Sequence, residues 1–346
     1  MSSAAPRPPA VRRRLGGAVA AVGGLLLFAY TLRQTGVDTI ADGFARVGSA
    51  FVVIVALSGL RFLLRAWAWL LCTEPPHALR LRDTFPALVS GDALGNLTPL
   101  GLFVSEPTKA AFVRSRVSLM NAVSGIAVEN LFYILTVAAM IAGGTVALLA
   151  EFDVPPALRV MSLVALAGMV GFLVVALALV SGRVRPLTWL LARLQHVSVV
   201  PAAVRRRTDK LQTLEERVYT FARRYRSRPL PVLLLEIGYH VAGVAETYVT
   251  LVMLLPASAP PTLLGAFLLE SINRFINVAF KFVPMRLGVD EASTGLLTQV
   301  LYGMPALGVT LALVRKARML VWTGVGVAFL GLRSLSRPSD YEAEQA

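Results

Sequence analysis

The chain of 346 residues is too hydrophobic and too poor in charge for a soluble globular protein. Hydrophobic residues make up 56% of the chain and charged residues 16%, whereas soluble domains carry about 25% charged residues. Several apolar runs reach the ~20 residues that a helix needs to cross a bilayer. The sequence therefore predicts an all-α polytopic membrane protein.

The net charge of +14 is typical of a membrane protein with basic cytoplasmic loops rather than of a nucleic-acid-binding protein. Lys and Arg are concentrated in a few loops, above all in residues 181–229, which hold twelve basic and three acidic residues. We expect this loop to be cytoplasmic. Residues 204–225 also show helical periodicity, so they form either a basic amphipathic helix on the anionic inner leaflet or a solvated connecting helix. We expect no nucleic-acid partner.

The apolar runs predict six membrane crossings, and the loop charges predict their orientation. Residues 1–14 and 333–346 are expected to be cytoplasmic tails, and residues 34–49, with balanced charge, an external loop. The predicted crossings are 15–32, 50–72, 118–150, 158–180, 230–255 and 306–332.

Two further segments, 79–117 and 262–304, combine helical stretches with breaks. Pro99 and Gly101 interrupt the first, and Pro284 and Gly288 interrupt the second, because proline removes a backbone donor and glycine loosens the chain. Each segment predicts a re-entrant hairpin in the core of the bundle, where irregular backbone is tolerated at membrane depth. For residues 262–282 a full crossing remains the alternative.

The two breaks align without gaps, so the chain reads as a duplication. Pro99 matches Pro284, and Glu106 matches Glu291. Three crossings separate the breaks, so the hairpins would enter from opposite sides. This predicts an inverted repeat of residues 15–150 and 151–332. Paired interrupted segments of this kind are the best sequence indication of a transport site.

Charged residues inside predicted helices are candidates for substrate binding, because each costs roughly 2.5–3.5 kcal/mol at the bilayer centre. Glu106 and Glu291 each begin a returning helix, where they contact a headgroup, carry a coupling proton or cap the helix. Guanidinium groups suit phosphate, which favours Arg61 and Arg315 as phosphate ligands. The remaining candidates are Arg318, Asn96 and Glu129. Glu270 and Arg274, four residues apart, could pair on one helix face, which argues against a substrate role for either.

The sequence contains no hydrolase, zinc-protease or nucleotide-binding motif, so we predict no catalytic residue, metal or cofactor. The three histidines lack metal-ligand spacing. The main hypothesis is a transporter. The alternatives are a scaffold that recruits partners or anionic lipid through the basic loop, and an intramembrane enzyme that uses Glu129 or Glu291 as a base on a polyprenyl or phospholipid substrate.

Four tracts of this sequence, together with Arg315 in the last crossing, resemble the membrane domain of lysylphosphatidylglycerol synthase/flippases. The tracts are Gly91 to Glu106, Ala110 to Arg114, Ala127 to Asn130 and Val283 to Glu291. The sequence departs from the family at Val104-Ser105-Glu106, where Gly-Gly-Glu is common, and we expect it to lack the soluble aminoacyl-transferase domain that some members carry. The resemblance implies a flippase-like protein of the bacterial inner membrane that moves a lipid without synthesising it.

Overall fold

The computed structural model describes residues 37–75, 78–98, 101–180, 208–280 and 283–335. Within these ranges it contains eleven α-helices and no strand, which confirms the all-α polytopic class. In chain order, α1 to α11 are Val37–Val47, Ala50–Cys72, Leu81–Leu97, Gly101–Phe112, Leu119–Glu151, Pro156–Val180, Thr208–Arg224, Pro229–Leu254, Leu263–Ala279, Val289–Tyr302 and Pro305–Leu335. The predicted first crossing (15–32), Pro99, the predicted N-terminal tail, residues 181–207 of the basic loop and residues 336–346 lie outside the described ranges.

Three of these helices, α2, α5 and α8, are long and apolar enough to cross a membrane. Helix α6 contains a shorter apolar stretch, Arg159–Val175. The helices begin and end within a few residues of the predicted crossings, because apolar runs bounded by polar or proline-containing turns set their limits.

The segment predicted as an external loop before α2 instead contains a helix, α1. Its buried positions, Gly43 and Val47, are four residues apart, whereas Asp38 and Asp42 are exposed. This spacing is that of an amphipathic helix with one face on the protein. Helix α1 packs against α8 and α11, and burial of its apolar face stabilises a helix in a segment of balanced charge.

Helices α3 and α4 form the first hairpin. The backbone N–H of Ala78, before α3, donates to the carbonyl of Arg116, after α4, at 3.3 Å. The segment therefore enters and leaves the bundle at the same end. Near the break the two arms touch, since a Cβ atom on Gly101 would lie 2.4 Å from the carbonyl oxygen of Gly95.

Helices α9 and α10 form the second hairpin, joined by a 3₁₀ turn at Pro284–Arg286. Met285 and Arg286 both have φ of 49° and Gly288 has φ of 79°, so a compact left-handed turn reverses the chain. The hydroxyl group of Tyr302, at the end of α10, lies beside Gly265 in the first turn of α9. This segment also enters and leaves at one end of the bundle.

The two hairpins open at opposite ends of α8. Arg228, just before α8, donates to the carbonyl of Thr73 at 3.0 Å, beside the first hairpin, whereas the second hairpin follows the far end of α8. The 26 residues of α8 span about 39 Å. In addition, α3 packs against α11 and α9 packs against α5, so each hairpin contacts the last helix of the other half. An inverted repeat would place each hairpin against the last helix of the other half in this way. The repeat itself, and the depth of the hairpins in a bilayer, remain predictions.

Candidate functional site

A cavity of about 520 Å³ lies where the two helix breaks approach α2, α5 and α11. Both hairpins contribute to its walls, as expected for a site shared by two halves. Basic side chains predominate among the described residues that line it. The basic ones are Arg61, Arg65, Lys109, Arg274, Arg286, Arg315, Lys316 and Arg318; the acidic ones are Asp92, Glu106 and Asp290.

Two glutamates on neighbouring helices, Glu246 on α8 and Glu270 on α9, lie behind this basic lining. They are 3% and 1% exposed. Arg61 bridges them, with Nη1 3.1 Å from Glu246 Oε2 and Nη2 3.4 Å from Glu270 Oε1. Arg318 also pairs with Glu246. Buried acids therefore hold the guanidinium groups at the cavity wall.

Two further arginines converge on Glu270. Arg315 lies 3.5 Å from its Oε2 and donates to Thr247 Oγ1 at 3.1 Å. Arg274 pairs with it from one helical turn away, which confirms the pairing predicted from their spacing. Among the described residues, this cluster sets the four guanidinium groups of Arg61, Arg274, Arg315 and Arg318 against two carboxylates. The cluster has an excess of positive charge and is suited to an anion.

Tyr239 on α8 orients the guanidinium groups from the inside. Arg61 and Arg274 lie 4.5 and 5.0 Å from the centre of its ring, and Arg274 donates to its hydroxyl oxygen at 2.7 Å. Cation–π contacts of this kind favour a fixed stack over a free side chain. The basic wall is therefore preorganised before any ligand arrives.

A second charged cluster surrounds Arg65, one helical turn after Arg61. Its Nη2 lies 2.6 Å from Glu129 Oε1, and it donates to Asn130 Oδ1 at 3.3 Å. Glu129 is only 2% exposed and lies behind the wall. On the cavity side, the first-hairpin acid Glu106 accepts a hydrogen bond from Lys109 at 2.9 Å.

Glu291 has surroundings unlike those of Glu106, although the two align in the sequence. It is 0% exposed, accepts a hydrogen bond from the backbone N–H of Gly288 at 2.8 Å, and lies 2.9 Å from Lys316 Nζ. This is the capping geometry that the sequence left open as an alternative. The headgroup role of Glu291 remains a prediction.

The structure brings most of the predicted site residues to one place. Arg61, Arg315, Arg318, Asn96, Glu106 and Gly101 all line the cavity. Glu129 and Glu291 lie behind it, each paired with a cation that does line it. Gly288 is the N-cap residue just before α10, and Pro284 begins the 3₁₀ turn.

Sequence reasoning missed several lining residues. Arg274 is predicted only as the partner of Glu270, and Arg65 is not among the predicted site residues. Tyr239 and Asn130 carried no charge to draw attention. The helical spacing of Arg61 and Arg65 was the available indication, because residues four apart share a helix face.

One side of the cavity is apolar and reaches the outer surface of the bundle. Ile134 on α5, Phe172 on α6 and Val278 on α9 line it and are 42%, 42% and 55% exposed. In a membrane protein such a surface faces acyl chains. The cavity thus combines a basic interior with an apolar side opening.

The comparison with protein families identifies residues 15–332 as matching the family described as "Lysylphosphatidylglycerol synthase TM region". No significant match was found among curated proteins or solved structures. The matched range includes the two hairpins and all eleven helices up to the last turn of α11. The chain therefore belongs to this family and is a membrane protein of the lysylphosphatidylglycerol synthase/flippase type.

Proposed function

We propose that this protein is a lipid flippase that moves a phosphate-bearing lipid across the bacterial inner membrane. The observation that carries the proposal is the cavity itself, with excess guanidinium charge inside and an apolar opening at its side. A lipid has the same division between a charged headgroup and apolar chains. The family match supports this reading, because it covers the whole membrane region.

The charge of the cluster fits a phosphate group. Among the described residues, the four guanidinium groups of this cluster pair with two carboxylates, those of Glu246 and Glu270, and a bound anion would balance the remaining positive charge. Guanidinium groups present paired donors that match two phosphate oxygens. Arg61 and Arg315 are the predicted phosphate ligands, and Arg318 and Arg274 complete the wall.

The size of the cavity fits a headgroup rather than a whole lipid. A volume of about 520 Å³ lies in the range of small-molecule sites. We infer that the headgroup enters the basic interior while the acyl chains stay against Ile134, Phe172 and Val278. Asn96 and Glu106, near the first break, would contact uncharged or cationic parts of the headgroup.

The arrangement of the hairpins supports transport rather than catalysis or a scaffold. Two breaks that enter from opposite ends and meet at one site would allow access from each side in turn. In this proposal both termini and residues 181–229 are cytoplasmic. Helix α7 is anchored to the bundle by Phe221, which packs on Phe132, and by Arg217, 3.6 Å from Glu74. The outer, basic side of this loop would contact anionic lipid.

Reconstitution into liposomes tests the proposal. Lipids labelled on the headgroup are placed in both leaflets, and an impermeant quencher is added outside. We expect the protected inner-leaflet label to become accessible faster than in empty liposomes, and faster for phosphate-bearing lipids than for lipids with an uncharged headgroup. No acceleration for any phosphate-bearing lipid, with or without an imposed proton gradient, would overturn the proposal.

A further inference from the structure

Glu236 on α8 is a buried acid that the headgroup cluster does not use. Its side chain is 0% exposed, and neither carboxylate oxygen accepts a hydrogen bond from any described residue. An ionised carboxylate buried without a donor is strongly disfavoured. The group is therefore stable here only if something else neutralises it.

The neighbour that Glu236 faces is another acid, Glu129 on α5. The two helices pack together here through Val128 and Phe132 of α5 and Val232 and Leu235 of α8, and this packing brings the two carboxyl groups within reach of each other. Two ionised carboxylates can only accept, so this contact becomes a hydrogen bond only when one of them is protonated. Arg65 supplies one positive charge, held 2.6 Å from Glu129. One guanidinium and one proton together balance the two carboxyl groups.

The other titratable groups nearby do not change this balance. From α2, the Cys72 thiol is buried. Arg228, before α8, donates to the backbone carbonyls of Leu71 and Thr73. On α8 itself, one turn from Glu236, a ring nitrogen of His240 lies 3.1 Å from Thr136 Oγ1.

We propose that Glu129 and Glu236 share one proton and form a buried proton-binding site connected to the cavity through Arg65. Arg65 lines the cavity on one side and pairs with Glu129 on the other. A headgroup phosphate that draws Arg65 toward itself would leave Glu129 unpaired, and a second proton would then bind a Glu129 oxygen. Lipid binding and proton uptake are coupled in this way; the coupling rests on the proposed function, whereas the shared proton does not.

Infrared difference spectroscopy across a pH titration tests the shared proton without any transport. The wild-type protein is expected to show the carbonyl band of a protonated carboxyl group at neutral pH. Glu236→Gln is expected to lose that band, because the amide donates to Glu129 and replaces the proton. Glu74→Gln is the matched control and keeps the band, since Glu74 is ion-paired with Arg217 and Arg224.

A wild-type spectrum without the band at neutral pH would overturn the proposal, whether or not the variant folds. A folded Glu236→Gln variant that retains the full band would also overturn it.

Lipid movement under an imposed proton gradient tests the coupling. Wild type and Glu74→Gln are expected to move lipid faster with the gradient than without it. The double variant Glu129→Gln/Glu236→Gln has no acid left at this site to take the second proton, so its rate is expected to be the same with and without the gradient. A gradient response in the double variant equal to that of wild type would overturn the coupling and leave the flippase proposal intact. Absence of lipid movement in every variant would overturn the flippase proposal, and the infrared result would still decide the shared proton.

Discussion

Several of the charged side chains that line the cavity of this protein also form ion pairs with buried side chains of opposite charge. Each would cost roughly 2.5–3.5 kcal/mol alone at the bilayer centre. Arg61 has Glu246 and Glu270 as partners, and Arg65 has Glu129. The acids make the burial of the arginines tolerable, and the surplus of arginines leaves binding capacity for an anion.

Glu291 and Glu106 are predicted to have different roles despite their alignment. Replacement of Glu291 by alanine removes the cap on Gly288 and one partner of buried Lys316, so we expect a loss of about 3 kcal/mol of stability. Glu106→Ala also removes a partner of buried Lys109. The Glu106 side chain is 25% exposed, however, and caps no helix, so this variant is expected to lose less stability. Thermal unfolding in detergent measures both variants.

Equal losses in the two variants would contradict the assignment of a structural role to Glu291. Glu106→Ala is also the variant expected to alter headgroup preference in the liposome assay, because Glu106 lines the cavity.

The sequence indicated which residue types would matter and the local pair of Glu270 and Arg274, but not the long-range partners. Arg61 and Glu246 are 185 residues apart, and no periodicity relates such positions. The match between Glu106 and Glu291 was visible, yet one faces the cavity and the other a helix terminus. The difference arises from Lys316 on α11, which reaches Glu291 only in the folded protein.

At the level of elements, apolar runs and helix breakers predicted most of the helices. The hairpin arms appear as α3, α4, α9 and α10, close to the segments expected from Pro99 and Pro284. The turn after α9 was less predictable. It places Met285 and Arg286, rather than only a glycine, at positive φ, which is uncommon for such residues.

Close contact between the arms of the first hairpin makes Gly101 sensitive to substitution. A Cβ atom there would lie 2.4 Å from the backbone oxygen of Gly95, so Gly101→Ala must push the arms apart. We expect a loss of about 1–3 kcal/mol of stability, measured by thermal unfolding, together with altered lipid movement.

Gly168→Ala on α6 is the matched control, since nothing lies within 4 Å of a Cβ atom at that position. It is expected to leave stability unchanged or to raise it slightly, because alanine favours the helix. A Gly101→Ala variant as stable as this control would show that the arms separate at no cost.

For the whole molecule, the central feature is two hairpins that open at opposite ends of α8. The sequence predicts that the hairpins enter from opposite sides of the membrane, because three crossings separate the breaks, and those sides stay a prediction. The exchange of packing between halves, with α3 on α11 and α9 on α5, was not predictable, because it depends on how the halves interlock.

Cysteine labelling tests this arrangement in intact cells. In a Cys72→Ser background, Ser258→Cys and Met304→Cys are expected to react with an impermeant reagent from the outside, since they flank the open end of the second hairpin. Arg82→Cys, at the base of the first hairpin, is expected to react only after the membrane is permeabilised. Labelling of Ser258→Cys and Met304→Cys from opposite sides would show that residues 263–302 cross the membrane.

The most direct test of the central claim is the rate of lipid movement in liposomes that contain wild type, Arg315→Gln or Arg333→Gln. Arg315 lines the cavity and its loss leaves Glu270 paired with Arg61 and Arg274, so the fold is expected to persist. Arg333 lies near the end of α11, over the ring of Phe112. We predict that Arg315→Gln reduces the rate of movement of a phosphate-bearing lipid at least tenfold, which corresponds to about 1.4 kcal/mol. Arg333→Gln is predicted to move the same lipid at the wild-type rate. Equal rates in all three preparations would contradict a phosphate site at this cavity.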